Sequence, residues 1–125
     1  MAKHNVLGQL GEQFAIQYLQ RKGYTIIEVD WRFEHKDIDI VAFDNDDNVL
    51  VFVEVKTRTS DAFGEPHEAV SRAKMQNLIR CANIFIRQKH YNGNARFDVI
   101  SLVGHSMPFR LTHIKDAFNS ATVYS

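Results

Sequence analysis

The chain has 125 residues, 45% of them hydrophobic, and carries 15 Lys and Arg against 15 Asp and Glu for a formal net charge of zero. That balance excludes a disordered chain and a uniformly basic nucleic-acid binder. A single cysteine, Cys81, excludes an internal disulfide framework and a multi-cysteine zinc site. It suits a reducing cytosol. No apolar run reaches transmembrane length, and Met1-Ala2-Lys3-His4-Asn5 lacks a signal-peptide core, so one cytoplasmic domain over residues 1–125, away from any membrane, is expected. The charge is unevenly spread: residues 1–50 hold 5 basic against 9 acidic side chains, residues 51–125 hold 10 against 6. An acidic half beside a basic half is compatible with a metal site next to a phosphate-binding surface, and ordinary solvated faces produce it at least as often.

Leu7, Leu10, Phe14 and Tyr18 recur at helical spacing, with Ala15 and Leu19 widening the arc, so a first helix is predicted over 6–21. Gly8 and Gly11 are poor helix formers, which predicts either close approach of another part of the chain or a weak first turn. Glu12 lies at the flank of the apolar arc, where a carboxylate reaches the boundary between helix and sheet. Gly23 ends the helix, and residues 24–33 read as a strand.

Residues 37–43 and 49–56 are rich in Val, Ile and Phe and flank the turn cluster Asp44-Asn45-Asp46-Asp47-Asn48, the pattern of an antiparallel hairpin. Centring the turn between Asp46 and Asp47 opposes Phe43 with Leu50, Val41 with Phe52, Asp39 with Glu54 and Asp37 with Lys56, all on one face. Ala42, Ile40 and Ile38 then face Val51, Val53 and Val55 on the other. A one-residue slip would destroy this sorting. Directly opposed carboxylates repel by up to roughly 1 kcal/mol. Lys56 offsets that repulsion, and a divalent cation such as Mg²⁺ or Mn²⁺ does so better, because hard cations take carboxylates, water and phosphate oxygens together.

A second helix is predicted from about 66 to 90, with Pro66 in its first turn and a buried stripe of Val70, Ala73, Asn77, Cys81, Ile84 and Phe85 that includes Lys74. The Lys74 ammonium either snorkels to water or points toward the acids or a phosphate. Residues 91–94 are turn chemistry. Residues 95–103 form a strand alternating Phe97, Val99 and Ser101 against Arg96, Asp98, Ile100 and Leu102. Residues 109–114 suggest a short edge strand, and the tail from Lys115 carries no motif.

Taken in order, Gly8-x-x-Gly11-Glu12, Gly23-Tyr24, Asp37-Ile38-Asp39-Ile40-Val41-Ala42, Val51-Phe52-Val53-Glu54-Val55-Lys56-x-Arg58, Phe63-Gly64, Ala69-Val70 with Lys74, and Arg96-Phe97-Asp98-Val99 resemble the PD-(D/E)xK nuclease superfamily. The nearer resemblance is to the small bacterial YraN-like proteins, relatives of archaeal Holliday junction resolvases. It covers about residues 7–103, leaving 104–125 as a C-terminal extension. It implies an α/β fold with a restriction-endonuclease-like α/β/α core, element order α-β-β-β-α-β and a central mixed sheet. It also implies an Mg²⁺- or Mn²⁺-dependent endonuclease acting on DNA, branched or otherwise structured DNA among its substrates. Asp39 and Glu54 would bind the metal, Lys56 would orient or activate the attacking water, and Glu12 would be the acid supplied by the first helix. Where YraN-like chains carry Gly-Glu before the Ile-Asp pair this one has Lys36-Asp37, so Asp37 is at most an accessory acid. Arg58 and Lys74 are the candidate contacts to nucleic-acid phosphates. The resolvase resemblance also allows a homodimer, because symmetric cutting of two strands calls for two sites.

A different class, a non-catalytic nucleic-acid-binding or scaffold protein retaining this fold, accounts for the zero net charge. A plain structural ion-pair cluster is the third reading. The six histidines are dispersed without metal-ligand spacing, Asp98 reads as a hydrogen-bonded structural acid, and Cys81 as a core residue.

Overall fold

The computed structural model describes residues 6–60 and 70–124. In chain order these form α1 (Val6–Arg21), β1 (Tyr24–Phe33), β2 (Lys36–Asp44), β3 (Val49–Arg58), α2 (Arg72–Gln88), β4 (Ala95–Val103), β5 (Arg110–Phe118) and α3 (Ser120–Val123). The strands make one mixed sheet in the order β1-β2-β3-β4-β5, parallel only between β3 and β4, where α2 lies in the intervening connection. The α/β class and the predicted order hold, with β5 and α3 added at the C-terminal end.

The hairpin has the predicted register. Asp44 pairs with Val49, Phe43 with Leu50, Ala42 with Val51, Val41 with Phe52 and Ile40 with Val53. Each side chain's face follows. Val41, Leu50 and Phe52 pack with Leu78, Ile79, Cys81, Ala82 and Phe85 of α2, while Ile40, Ala42, Val51 and Val53 pack with Ala15 and Leu19 of α1. The helices therefore cover opposite faces of the sheet, giving three layers and two apolar clusters. The α2-side cluster is aromatic: Phe52 meets Phe85 edge-on at 5.7 Å and stacks with Phe97 at 5.6 Å.

The spans of α1, β1 and β4 are as predicted, and Gly23 closes α1 with φ +92 and an N–H bond to the Gln20 carbonyl at 3.1 Å. Gly11 lies on the buried line of α1, where an added Cβ would collide with the Thr57 side chain of β3, so its presence reflects close helix–sheet approach.

Three expectations need correcting. Helix α2 starts at Arg72, behind Ser71, whose Oγ accepts the Lys74 N–H at 3.2 Å; Pro66 lies outside the described residues, as do Phe63, Gly64 and Ala69. Its buried stripe runs through Leu78, Ile79, Cys81, Ala82 and Phe85, whereas Ala73 and Asn77 are exposed. Val70 precedes the helix, so a stripe phased from it does not follow the helix's own turn. The last strand runs from Arg110 to Phe118, longer than 109–114, because the polar residues Thr112, Lys115 and Asp116 of an edge strand hide its period.

A polar network crosses the sheet on the α1 side. The fully buried Asp98 accepts from Arg96 Nε at 2.8 Å and Nη2 at 3.0 Å, from His113 Nε2 at 2.7 Å and from the Asp116 N–H at 3.0 Å. His113 Nδ1 faces the Tyr18 hydroxyl at 2.9 Å, and Arg96 also reaches Asp44 at 3.1 Å and Asp47 at 3.0 Å. The carboxylate at Nε2 requires that nitrogen to carry the proton, so in the neutral imidazole Tyr18 donates to Nδ1. Burial opposes the charge on Asp98, yet hydrogen bonds from His113, Arg96 and the Asp116 amide hold its pKa below the ordinary carboxylate value. Burial, with Asp98 nearby, pushes the Tyr18 pKa up. Asp98 is thus the structural acid expected. No helix among the described residues is long and apolar enough to cross a membrane.

Candidate metal and phosphodiester site

The β2–β3 ladder ends at Ile40 and Val53, one pair before Asp39 and Glu54. At that point the Asp39 carboxylate enters the fork between the strands and accepts the Val55 N–H at 2.9 Å. Both acids are buried, Asp39 to 5% exposure and Glu54 to 9%. A carboxylate takes over a backbone donor that the diverging strands would otherwise leave unmet.

Strict alternation would put Asp39 beside Glu54 on the α2 side. It fails between Ile38 and Val41. Ile38 packs with Val41 in the α2-side cluster, but Ile40 packs in the α1-side cluster, and Asp39 gathers with Glu12 of α1. Glu54 keeps the alternation of Leu50 and Phe52, and its Oε2 lies 3.9 Å from Lys74 Nζ of α2. The same ammonium is 3.8 Å from Asp37 Oδ1. The expected shared face therefore divides into two adjoining acid groups, Glu12 with Asp39 on one side of the fork and Glu54 with Asp37 and Lys74 on the other. The Val55 amide, next in chain to Glu54, joins them.

The first group has a third member that the alternation pattern misses. Glu12, Asp30 and Asp39 each offer a carboxylate oxygen within 4.8 Å of the others. Glu12 arrives because its neighbour Gly11 lets α1 settle against Thr57. Asp30 belongs to β1, whose register places Val29 opposite Ile40 and Trp31 opposite Ile38, so residue 30 falls beside residue 39. Its φ of +52 is left-handed, a conformation that Asp adopts more readily than most residues. The sequence signal for it is the extension of the hairpin register to the preceding strand.

Three carboxylates at this separation repel one another unless a cation or protons intervene. An all-oxygen donor set suits a hard divalent ion. Three carboxylate oxygens within 4.8 Å of one another are close enough to converge on one Mg²⁺ or Mn²⁺. Lys56 is exposed at the fork's rim, and Arg58, partly buried, ends β3 on the same side as Glu54.

Residues 11–102 match the model of the uncharacterised protein family UPF0102. A UPF0102 protein of Flavobacterium psychrophilum is 42% identical over 118 residues, covering 94% of this chain and 98% of that one. One from Bacteroides thetaiotaomicron is also 42% identical, covering 94% and 96%. Among solved structures, the SPO1766 protein of unknown function from Silicibacter pomeroyi aligns over 97% of this chain and 81% of that one, with TM-score 0.41 and 11% identity.

Proposed function

The chain belongs to the uncharacterised protein family UPF0102, and from that premise and the geometry of the fork we propose that it is a divalent-metal-dependent endonuclease cleaving phosphodiester bonds in DNA, branched or otherwise structured DNA included. The observation that carries the reading is the convergence of Glu12, Asp30 and Asp39 within 4.8 Å at the point where β2 and β3 part.

Mg²⁺ or Mn²⁺ held there would supply Lewis acidity toward a phosphoryl oxygen and acidify water at neutral pH. The chain's own residues do the rest. Asp39 is held by the Val55 amide beside Glu12 and Asp30. Glu54, in the adjoining acid group with Asp37 and Lys74, would supply a further carboxylate beside that centre. Lys56, two residues on along the same strand face, holds the attacking water or a phosphate oxygen as a compact positive charge. Lys74 neutralises Glu54 and Asp37 when no ion is bound, and is the group that substrate or metal would displace. Symmetric cutting of a two-stranded junction calls for two copies, so a homodimer belongs to this reading.

That same Lys74 contact favours a second reading, a nucleic-acid-binding protein without catalysis, since the ammonium already balances Glu54. The two separate on a panel of linear, flapped and four-way DNA and RNA substrates incubated with Mn²⁺, with Mg²⁺ and with EDTA. The nuclease reading predicts metal-dependent cleavage abolished by Asp39→Ala and by Glu54→Ala, both variants remaining folded. Cleavage surviving in both would sink it; binding that persists in EDTA with no cleavage under any condition would select the second reading.

A further inference from the structure

We infer that Arg58, with Ser101 beside it, is a seat for a second, non-scissile phosphate of the nucleic-acid backbone; the identity of that ligand rests on the nuclease reading, while the seat itself rests on separate observations. Arg58 is the last residue of β3 and shares the side of the sheet occupied by Leu50, Phe52 and Glu54. The parallel register sets Lys56 against Ser101 and Arg58 against Val103, so Lys56, Arg58 and Ser101 lie together at the C-terminal ends of two neighbouring parallel strands. Ligands of open α/β sheets collect at such ends.

Two nitrogens of Arg58, Nε and Nη2, are buried and have no hydrogen-bond partner among the described residues. They lie on one edge of the guanidinium, where two N–H bonds point the same way and match two oxygens of a single oxyanion. Arg96 shows that edge satisfied within the same protein, its Nε and Nη2 meeting the two oxygens of Asp98 at 2.8 and 3.0 Å. Among the described residues Arg58 presents the same fork with no acid hydrogen-bonded to that edge. The neighbouring carboxylates are engaged elsewhere, Glu54 with Lys74 and Asp98 with Arg96 on the sheet's other side. Ser101, only 1% exposed, has an Oγ that likewise lacks a partner among the described residues. Buried donors are rarely left unmet, and these two sit two register positions apart on one face of the sheet. A tetrahedral oxyanion satisfies both. A phosphodiester has two non-bridging oxygens for the Arg58 edge, and the exposed Lys56 stands between that edge and the acids of the fork. Arg58 is four residues, roughly 13 Å of strand, beyond Glu54. That separation assigns it a flanking phosphate and leaves the reacting one to the fork.

The test is equilibrium binding of fluorescently labelled linear and four-way DNA in EDTA, where no cleavage occurs, across a salt series, for the wild type, Arg58→Gln, Arg58→Lys and Ser101→Ala. Arg58→Gln should weaken binding about tenfold or more, the loss expected for a charged hydrogen-bonded pair. It should also flatten the salt slope by about one. Arg58→Lys should restore the slope but little of the affinity, since a point charge cannot fill the two-oxygen edge. Ser101→Ala should melt no lower than the wild type yet bind more weakly, a pairing that a purely structural serine would not give. DNA affinity unchanged in Arg58→Gln overturns the inference, whatever the protein cuts. Stabilisation by inorganic phosphate that depends on Arg58, without DNA binding, overturns the nucleic-acid source. Arg58-dependent DNA binding without metal-dependent cleavage upholds the seat and refutes the nuclease.

Discussion

Replacing Asp98 with Asn keeps the shape of the side chain and removes its charge, and the structure says what that does. Asp98 is fully buried and receives four donors, two from Arg96, one from His113 and one from the Asp116 amide. An asparagine amide must turn its own NH₂ toward at least one of those donors. Breaking a buried ion pair by removing one partner costs about 3–5 kcal/mol. Arg96 retains Asp44 at 3.1 Å and Asp47 at 3.0 Å, which argues for the lower end, about 3 kcal/mol. For a chain of this length each kcal/mol moves the melting point by about 3–5 °C, so a fall of about 9–15 °C is expected in thermal unfolding followed by circular dichroism at pH 7. The pH dependence gives an independent check. The folded-state pKa of Asp98 is depressed, so its contribution is complete above the unfolded value of about 3.9 and is lost as pH falls through the lower folded value. The gap between wild type and Asp98→Asn should therefore narrow as pH drops below about 4. A melting point within about 3 °C of the wild type at pH 7, or a gap that widens on acidification, would refute the reasoning.

Gly11→Ala should destabilise the protein by about 1–2 kcal/mol, because the added methyl meets Thr57 and the overpacking outweighs the helix-propensity gain of about 1 kcal/mol. Thr57→Ala in the same chain should recover most of the loss, and chemical denaturation of the four-member cycle shows whether it does. Cys81 is fully buried and its thiol pKa is pushed up to about 11 by burial, with Asp37 nearby, so it should resist alkylation at pH 8 in the native protein and react at once after denaturation. Lys74→Ala should change the melting point little, since its ion pairs to Asp37 and Glu54 are long and the ammonium is partly exposed, worth about 0–1 kcal/mol. Thermal unfolding beside the cleavage assay separates that small effect from any change in metal dependence.

The hairpin was legible because both of its faces are buried. Only the register that pairs Val41 with Phe52 and Ile40 with Val53 sorts the side chains onto two cores, and the structure has that register. Legibility ended where the strands part. Alternation presumes a continued ladder, and at Asp39 the ladder gives way to a side-chain bond to Val55, with that carboxylate gathered beside Glu12 of α1. Asp30 was hidden for a related reason. β1 is an edge strand with a register shift between Ile26 and Glu28 and a left-handed residue at Asp30 itself, so its charged and apolar positions do not keep a clean period of two. Glu12, by contrast, could be placed from the helix arc alone, because Gly11, Ala15 and Leu19 mark the buried line and Glu12 flanks it. The buried bonds of Asp98 were beyond reach in detail, since two of its four donors come from β5, and an exposed polar edge strand announces itself weakly.

The central claim is that Glu12, Asp30 and Asp39 together hold one hard divalent cation in the fork between β2 and β3. An equilibrium titration with Mn²⁺, following the free ion by its paramagnetic resonance signal, tests this directly on the wild type and Asp39→Asn at pH 7. The account predicts saturable binding by the wild type that weakens about tenfold or more in Asp39→Asn, as the loss of a charged oxygen ligand at a carboxylate site entails. Equal binding by the two proteins, or none by the wild type, would contradict it.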